Sequence, residues 1–298
     1  MARLIGGVEA GGTKFVCAIG ERPDRIRDRV QFPTTTPAET FSEVSAFFER
    51  NLRAGDELVG VGLAAFGPID VRLGSPTYGR VKETPKEGWR GADYIAALAG
   101  LGAPVRVDTD VNGAGLGEFL YGAGKGAATL AYVTVGTGIG AGVLQGGVPV
   151  MGFAHMEIGH IRPPREPGDA FEGVCPYHGD CLEGLASGPA ILGRWGRKLS
   201  DPAIDPRAIE MEAGYLAHLA SALVLTHAPD RIVFGGGVMM APGILTALWG
   251  RTAEGLGGYV AHAAVAGDLA EYLVPPSLGD LAGVTGALAL GRAAAAEG

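Results

Sequence analysis

The chain has 298 residues, 47% apolar and 19% charged, with 51 Gly that follow no G-X-Y period. This composition excludes collagen and disorder and allows one large globular domain or two. A formal charge of −8 argues against nucleic acid on a basic face, and three cysteines exclude a disulfide scaffold. With no leader pattern and no apolar run of ~18–20 residues, the expectation is a cytoplasmic protein without a membrane partner.

Residues 4–8 and 15–19 are apolar runs around the Gly/Thr turn 10–13, predicting a hairpin. Phe41, Val44, Phe47 and Phe48 at helical spacing predict a helix over 37–53. Residues 58–65 make a strand-length apolar run ending at Gly67-Pro68, and the turn-rich stretch 69–90 is expected to be a surface loop. A helix over 92–101, a strand over 104–107 and a helix over 111–120 follow. Then the opening theme returns as apolar 130–135, a "GTG" turn and apolar 139–144. That repeat implies two related halves. The boundary is set near residue 115, with 1–115 and 283–298 in one domain and 116–282 in the other. Residues 155–183 are irregular, and helices are expected over 182–199 and 208–226. A strand over 231–234, a helix over 244–256, a strand over 272–274 and a small-residue helix over 283–295 complete an α/β architecture.

Five segments carry candidate chemistry. "GGVEAGGTKF" sets Gly11, Gly12, Thr13 and Lys14 between two strands, either an ordinary hairpin turn or a cradle of N–H groups for phosphate. It is not a P-loop, because Thr precedes Lys and a strand follows. "VGTGIGAGV", with Gly136, Thr137 and Gly138, offers the same two readings. It is not a dinucleotide fingerprint, because no helix follows it. "VDTDVNGAGLGE" puts Asp110 where a strand gives way to a helix, as a cap or as a base for a substrate hydroxyl. His160, Cys175, His178 and Cys181 have the spacing of a tetrahedral structural zinc site. The third cysteine, Cys17, fits a core position, and His155 is assigned to the surface. Finally, "RIVFGGGVMM" ends a strand in glycines on which a ligand could lie, or which packing requires.

Taken in order, the two Gly/Thr hairpins, the strand-end Asp, "E-x-G-H" at 157–160, the Cys/His cluster ending "C-L-E" and the late "GGGV" resemble the ROK family of sugar kinases (repressors, open reading frames, kinases) over essentially the whole chain. "GGVEAGGTKFVCAIG", "TPKEGW", "DTDVNGAGLGE" and "CPYHGDCLEGLASGPA" are similar to its bacterial fructokinase branch. The resemblance implies an actin-like ATPase (ribonuclease H-like) fold of two similar domains with a cleft between them. It further implies ATP and Mg²⁺ as cofactors, a homodimer, and phosphorylation of fructose to fructose 6-phosphate. Asp110 then matches the general base, and Gly67, Glu157, His160 and Glu183 the sugar site. Gly11, Gly12, Thr13, Lys14, Gly136, Thr137 and Gly138 match phosphate contacts, while Pro189, Gly235, Gly236, Gly237, Val238 and Met239 match nucleotide contacts. Zinc falls on His160, Cys175, His178 and Cys181, with a His where many members have Cys. Glu9 and Thr109 stand where many glucose-type members carry Asp and Asn, which directs the expectation away from glucose. A DNA-binding segment like that of the ROK repressors is not expected, since the first Gly/Thr turn lies close to Met1. Another hexose kinase and a non-catalytic sugar sensor are the competing readings.

Overall fold

The computed structural model describes residues 2–84 and 86–297. Met1, Gly298 and Pro85 of the "TPKEGW" segment lie outside the described residues. The chain divides into two compact units. One runs up to Gly122 and includes Met151–His155 and the residues from Leu278 onward; the other comprises Ala123–Val150 and Met156–Ser277. The first unit therefore keeps the whole helix that the sequence reading divided at residue 115.

In the first unit, β1 (Arg3–Ala10), β2 (Lys14–Arg22) and β3 (Arg25–Pro33) form an antiparallel meander. Helix α1 (Pro37–Asn51) leads to β4 (Glu57–Ala65), which pairs parallel with β1. After a long irregular segment, α2 (Tyr94–Leu98) leads to β5 (Val105–Thr109) on the far side of β4, and α3 (Asp110–Tyr121) starts directly from β5. The sheet order is β3-β2-β1-β4-β5. In the second unit, β6 (Thr129–Val135), β7 (Ile139–Gln145) and the short β8 (Val148–Pro149) make the meander. Helices α4 (Leu182–Ala186), α5 (Gly188–Trp195) and α6 (Arg207–His227) precede β9 (Arg231–Gly235), and α7 (Ile244–Leu256) precedes β10 (Leu273–Val274). Both β9 and β10 are parallel additions, giving the order β10-β9-β6-β7-β8. Read from the meander outward, the two sheets have the same topology, as the repeated hairpin theme implies.

Four expectations change. Strand β3 (RIRDRVQFP) carries no apolar run; it is an edge strand whose charges suit solvent, so hydropathy misses it. The stretch 69–90 is not a surface loop throughout: Ile69, Val71, Val81 and Trp89 are buried. Trp89 sits among Phe15, Phe41, Phe66 and Tyr94, and its indole N–H donates to the Thr35 carbonyl at 2.8 Å. The helix expected over 182–199 breaks at Ser187, whose hydroxyl caps α5. The fourth concerns α6, which is long and apolar enough to cross a membrane by length and composition. Most of it is buried in the core of its own unit beside β-strand residues such as Ile232 and Phe234, as a core helix would be.

The C-terminal helix (Ala282–Glu297) explains much of the glycine content. It packs on β1, β4 and α3 at backbone distance. A Cβ on Gly62 would collide with the Ala287 carbonyl, one on Gly60 with the Gly291 carbonyl, and one on Gly286 with the Gly113 carbonyl.

Candidate active site and metal centre

The carboxyl ends of β1, β4 and β5 carry the polar residues of the first unit. The turn after β1 closes with a bond from Gly11 N to the Lys14 carbonyl at 3.0 Å, and the Thr34 hydroxyl holds the Gly11 carbonyl at 2.7 Å. A Cβ on Gly11 would stand 2.8 Å from the Lys14 carbonyl, whereas Gly12 faces open space, as a backbone cradle requires. Glu9, on β1 just before this turn, is half-buried, and its Oε2 is out of solvent with no hydrogen-bond partner. Burial pushes its carboxyl up to about 7, with Lys14 opposing and Asp110 and Asp280 adding to the rise. A Cβ on residue 283 would run into the Glu9 carboxylate where it now lies, so glycine there leaves that position to the carboxyl.

At the end of β5, Thr109 rather than Asp110 is the helix cap. Its Oγ1 accepts from Asn112 N at 3.1 Å and is buried. The Thr109 hydroxyl thus accepts a backbone bond as the cap, while its own O–H remains a donor. Asp110 is the first helical residue, half-buried, at the positive end of the α3 dipole. Two residues earlier, Asp108 Oδ1 accepts from Asn112 Nδ2 and Thr109 N, both at 2.7 Å. Burial raises its pKa against those two bonds and the nearby charge of His155. His155, assigned to the surface from sequence, is half-buried. Its Cε1 and Nε2 lie 3.7 and 3.8 Å from the position a Cβ on Gly67 would take. Cys17 is fully buried, as expected.

In the second unit, Ile139 is the hub. Its N–H donates to Glu183 Oε2 at 2.9 Å, and its carbonyl is approached so closely by Gly159 that no Cβ fits there. The turn Gly136–Thr137–Gly138 is closed by Gly136 N to the Gly138 carbonyl at 2.8 Å and joined to the start of α5 by Gly188 N to the Gly136 carbonyl at 2.7 Å. A Cβ on Gly138 would stand 2.6 Å from Glu183 Oε2. Glu183, His160 and the second Gly/Thr turn are thereby brought to one end of β7. Glu157 is exposed one turn before His160, and Pro189 is exposed at the start of α5. After β9, Gly236 has φ +94° and sits against Val135, where only glycine fits, while Gly237 faces open space. Val238 and Met239 are buried.

The donor atoms of His160, Cys175, His178 and Cys181 all lie within 4.8 Å of one another. His160 Nδ1 is 3.4 Å from Cys181 Sγ and 3.8 Å from Cys175 Sγ, and His178 Nδ1 is 3.6 Å from Cys175 Sγ. A tetrahedron with Zn–S ≈ 2.3 Å and Zn–N ≈ 2.0–2.1 Å has N···S edges of about 3.6 Å. The donor set therefore fits zinc in size and chemistry. Without a cation, burial pushes the Cys181 thiol up to about 11. A reciprocal pair of bonds, Cys175 N to Gly179 O at 3.2 Å and Gly179 N to Cys175 O at 2.9 Å, folds C-x2-H into the tight loop the spacing needs.

Residues 5–294 match the ROK family. The chain belongs to it. It is 45% identical over 297 residues to the fructokinase of Zymomonas mobilis, covering 98% of this chain and 97% of that one. It is 38% identical over 302 residues to the fructokinase of Streptococcus mutans, with 100% of both chains covered. Among solved structures it is similar to a ROK hexokinase from Thermus thermophilus, with TM-score 0.78, 28% identity, and 99% and 100% of the two chains covered. It is also similar to a ROK family glucokinase from Streptomyces griseus in complex with glucose and AMPPNP, with TM-score 0.75, 25% identity, and 97% and 99% covered. The fold of this ROK protein is accordingly the actin-like ATPase fold. Two polar residues of the first unit receive no role from a motif reading of the ROK chain: Asp108, set beside Asp110 at the strand end, and His155, which has no partner nearby in sequence. Only the "D-x-D" spacing carried any signal for the former.

Proposed function

We propose that this ROK protein transfers the γ-phosphoryl group of ATP to the C6 hydroxyl of D-fructose, giving fructose 6-phosphate and ADP. The observation that carries the reading is Asp110, a half-buried carboxylate where β5 ends and α3 begins. It stands in a chain 38–45% identical over nearly its full length to proteins named fructokinase. Asp110 takes the hydroxyl proton as the sugar oxygen attacks the γ-phosphorus and the bond to the ADP oxygen breaks. Gly11, Gly12, Thr13 and Lys14, with Gly136, Thr137 and Gly138, hold phosphate oxygens through backbone N–H groups and the Lys14 ammonium. Gly67, Glu157, His160 and Glu183 hold the sugar, and Pro189 with Gly235, Gly236, Gly237, Val238 and Met239 border the nucleotide. Glu9, whose Oε2 has no protein partner, is the hard oxygen donor that suits Mg²⁺. When bound, Mg²⁺ neutralises charge on the phosphate chain. Zinc on His160, Cys175, His178 and Cys181 leaves no open position, so its role is to hold the 155–183 segment together. With Nδ1 of His160 on the metal, Nε2 remains for a sugar hydroxyl. The same reading takes the protein as a cytoplasmic homodimer acting on sugar and ATP, without nucleic acid or membrane.

An ADP-release assay with fructose, mannose and glucose tests it. A kcat/KM for fructose well above that for glucose supports the reading; glucose equal or better assigns another hexose. No turnover with any hexose leaves a sugar sensor. Asp110→Asn is expected to lower kcat by ~10²–10⁴-fold while sugar still binds. Near-normal kcat would return Asp110 to a structural place at the helix start.

A further inference from the structure

The chain leaves the first unit at Ala123 and, before Leu278, rejoins it for only five residues, Met151–His155. That short return ends in an imidazole. His155 lies with its Cε1–Nε2 edge over Gly67, 3.7 and 3.8 Å from where a Cβ would project. Asp108 is close enough for the two to interact electrostatically. Gly67 follows β4, and Asp108 is near the end of β5, paired in register with Ala64 of β4. Asp110 is two residues further on. His155 therefore occupies the same end of the same two neighbouring strands as Asp110.

The Asp108 carboxylate is itself fixed, because Asn112 and the Thr109 N–H both bind Oδ1. A fixed carboxylate near an imidazole biases the ring's orientation and which nitrogen carries the proton. A residue with no Cβ beneath the Cε1–Nε2 edge keeps the space in front of it open.

We propose that His155 is a sugar-contacting residue that selects among hexoses, oriented by Asp108 and given clearance by Gly67. The ligand class is a hydroxyl of the acceptor sugar, read by the Nε2 edge. This rests on the sugar-kinase reading above and adds to it a discriminator separate from Thr109.

The test is steady-state kinetics of the full-length protein on fructose, mannose and glucose with His155→Ala, His155→Gln and His155→Asn. His155→Ala is expected to lower kcat/KM for the preferred sugar by about 10–100-fold, the range for losing one partner of a buried polar contact. The ratio between preferred and poorest hexose narrows while KM for ATP stays within about twofold. His155→Gln, whose amide reaches the Nε2 position, retains more activity than His155→Asn, which reaches only Nδ1. A uniform loss on all three sugars, no loss, or the reverse order of the two amides overturns the proposal. Wild-type preference for a hexose other than fructose would refute only the fructose assignment, since the ratio still judges His155. A variant that fails to fold is replaced by NMR on the wild-type protein. There the His155 imidazole signal, assigned by through-bond experiments on isotope-labelled wild-type protein, shifts on adding the preferred sugar without nucleotide; an unmoved signal refutes the contact.

Discussion

Replacing Glu9 by Gln isolates one carboxyl whose burial has a calculable consequence. Burial raises its pKa from 4.5 to about 7 in the folded protein, with Asp110 and Asp280 contributing and Lys14 opposing. At about 1.4 kcal/mol per pH unit this corresponds to roughly 3 kcal/mol of folding free energy. The sign follows from proton counting. Between pH 4.5 and about 7 the folded state holds a proton that the unfolded chain releases. Stability therefore falls as pH rises through that window and levels off above it. Glu9→Gln is neutral throughout and lacks this slope. Urea unfolding at pH 5, 6, 7 and 8, without nucleotide or Mg²⁺, should show the variant nearly equal to wild type at the acid end. It should be more stable by roughly 3 kcal/mol at the alkaline end. The same variant loses the oxygen donor offered to Mg²⁺, so its stability gain comes with a fall in kcat. Parallel stability curves for the two proteins from pH 5 to 8 would refute the idea that Glu9 is held protonated by burial.

Two further outcomes are expected, beside the loss of turnover in Asp110→Asn. Elemental analysis should find one zinc per chain, and strong chelation should lower both melting temperature and activity; freely reactive Cys175 and Cys181 in metal-free, fully active protein would exclude the site. Thr109→Ala should cost about 1 kcal/mol of stability through the lost cap, leaving the fructose-to-glucose ratio unchanged; a shifted ratio would identify Thr109 as a discriminator.

The parts of the fold that were legible in the sequence are those where one period dominates. Strands β1, β2, β4, β6, β7 and β9 are apolar runs bounded by glycine, and the two Gly/Thr turns mark the repeat that the matching sheet orders bear out. Strand β3 was missed because it has no apolar run: its Ile26, Val30 and Phe32 alternate with charged and polar residues, interrupted by Asp28. Trp89 and Val81 were lost in a turn-rich stretch because isolated apolar residues carry no period, and only the Phe15–Phe41–Phe66–Tyr94 cluster gives them a place. The candidate metal ligands His160, Cys175, His178 and Cys181 were legible because metal chemistry restricts ligand spacing. Asp108 and His155 are 47 residues apart, and nothing local records that they meet.

The glycines of the C-terminal helix show the same division between local and tertiary signals. Each costs about 1 kcal/mol in a helix interior relative to alanine, so local propensity argues against Gly283, Gly286 and Gly291. Their positions make sense only from the partners. Gly291 lies against the backbone of β1 and β4, Gly286 against Gly113 of α3, and Gly283 against the Glu9 carboxylate. The first two contacts let a helix and a sheet approach at backbone distance, which is a packing role. Gly283 does something else. By leaving room for a carboxylate rather than for a methyl group, it admits a charged residue into the end of β1 beside Lys14 and Asp110. The cost of that glycine and the raised pKa of Glu9 thus have one origin, a carboxyl held where burial opposes its charge. A cation at Glu9 would reverse that opposition, which ties the helix glycine to the Gly/Thr turn that follows β1.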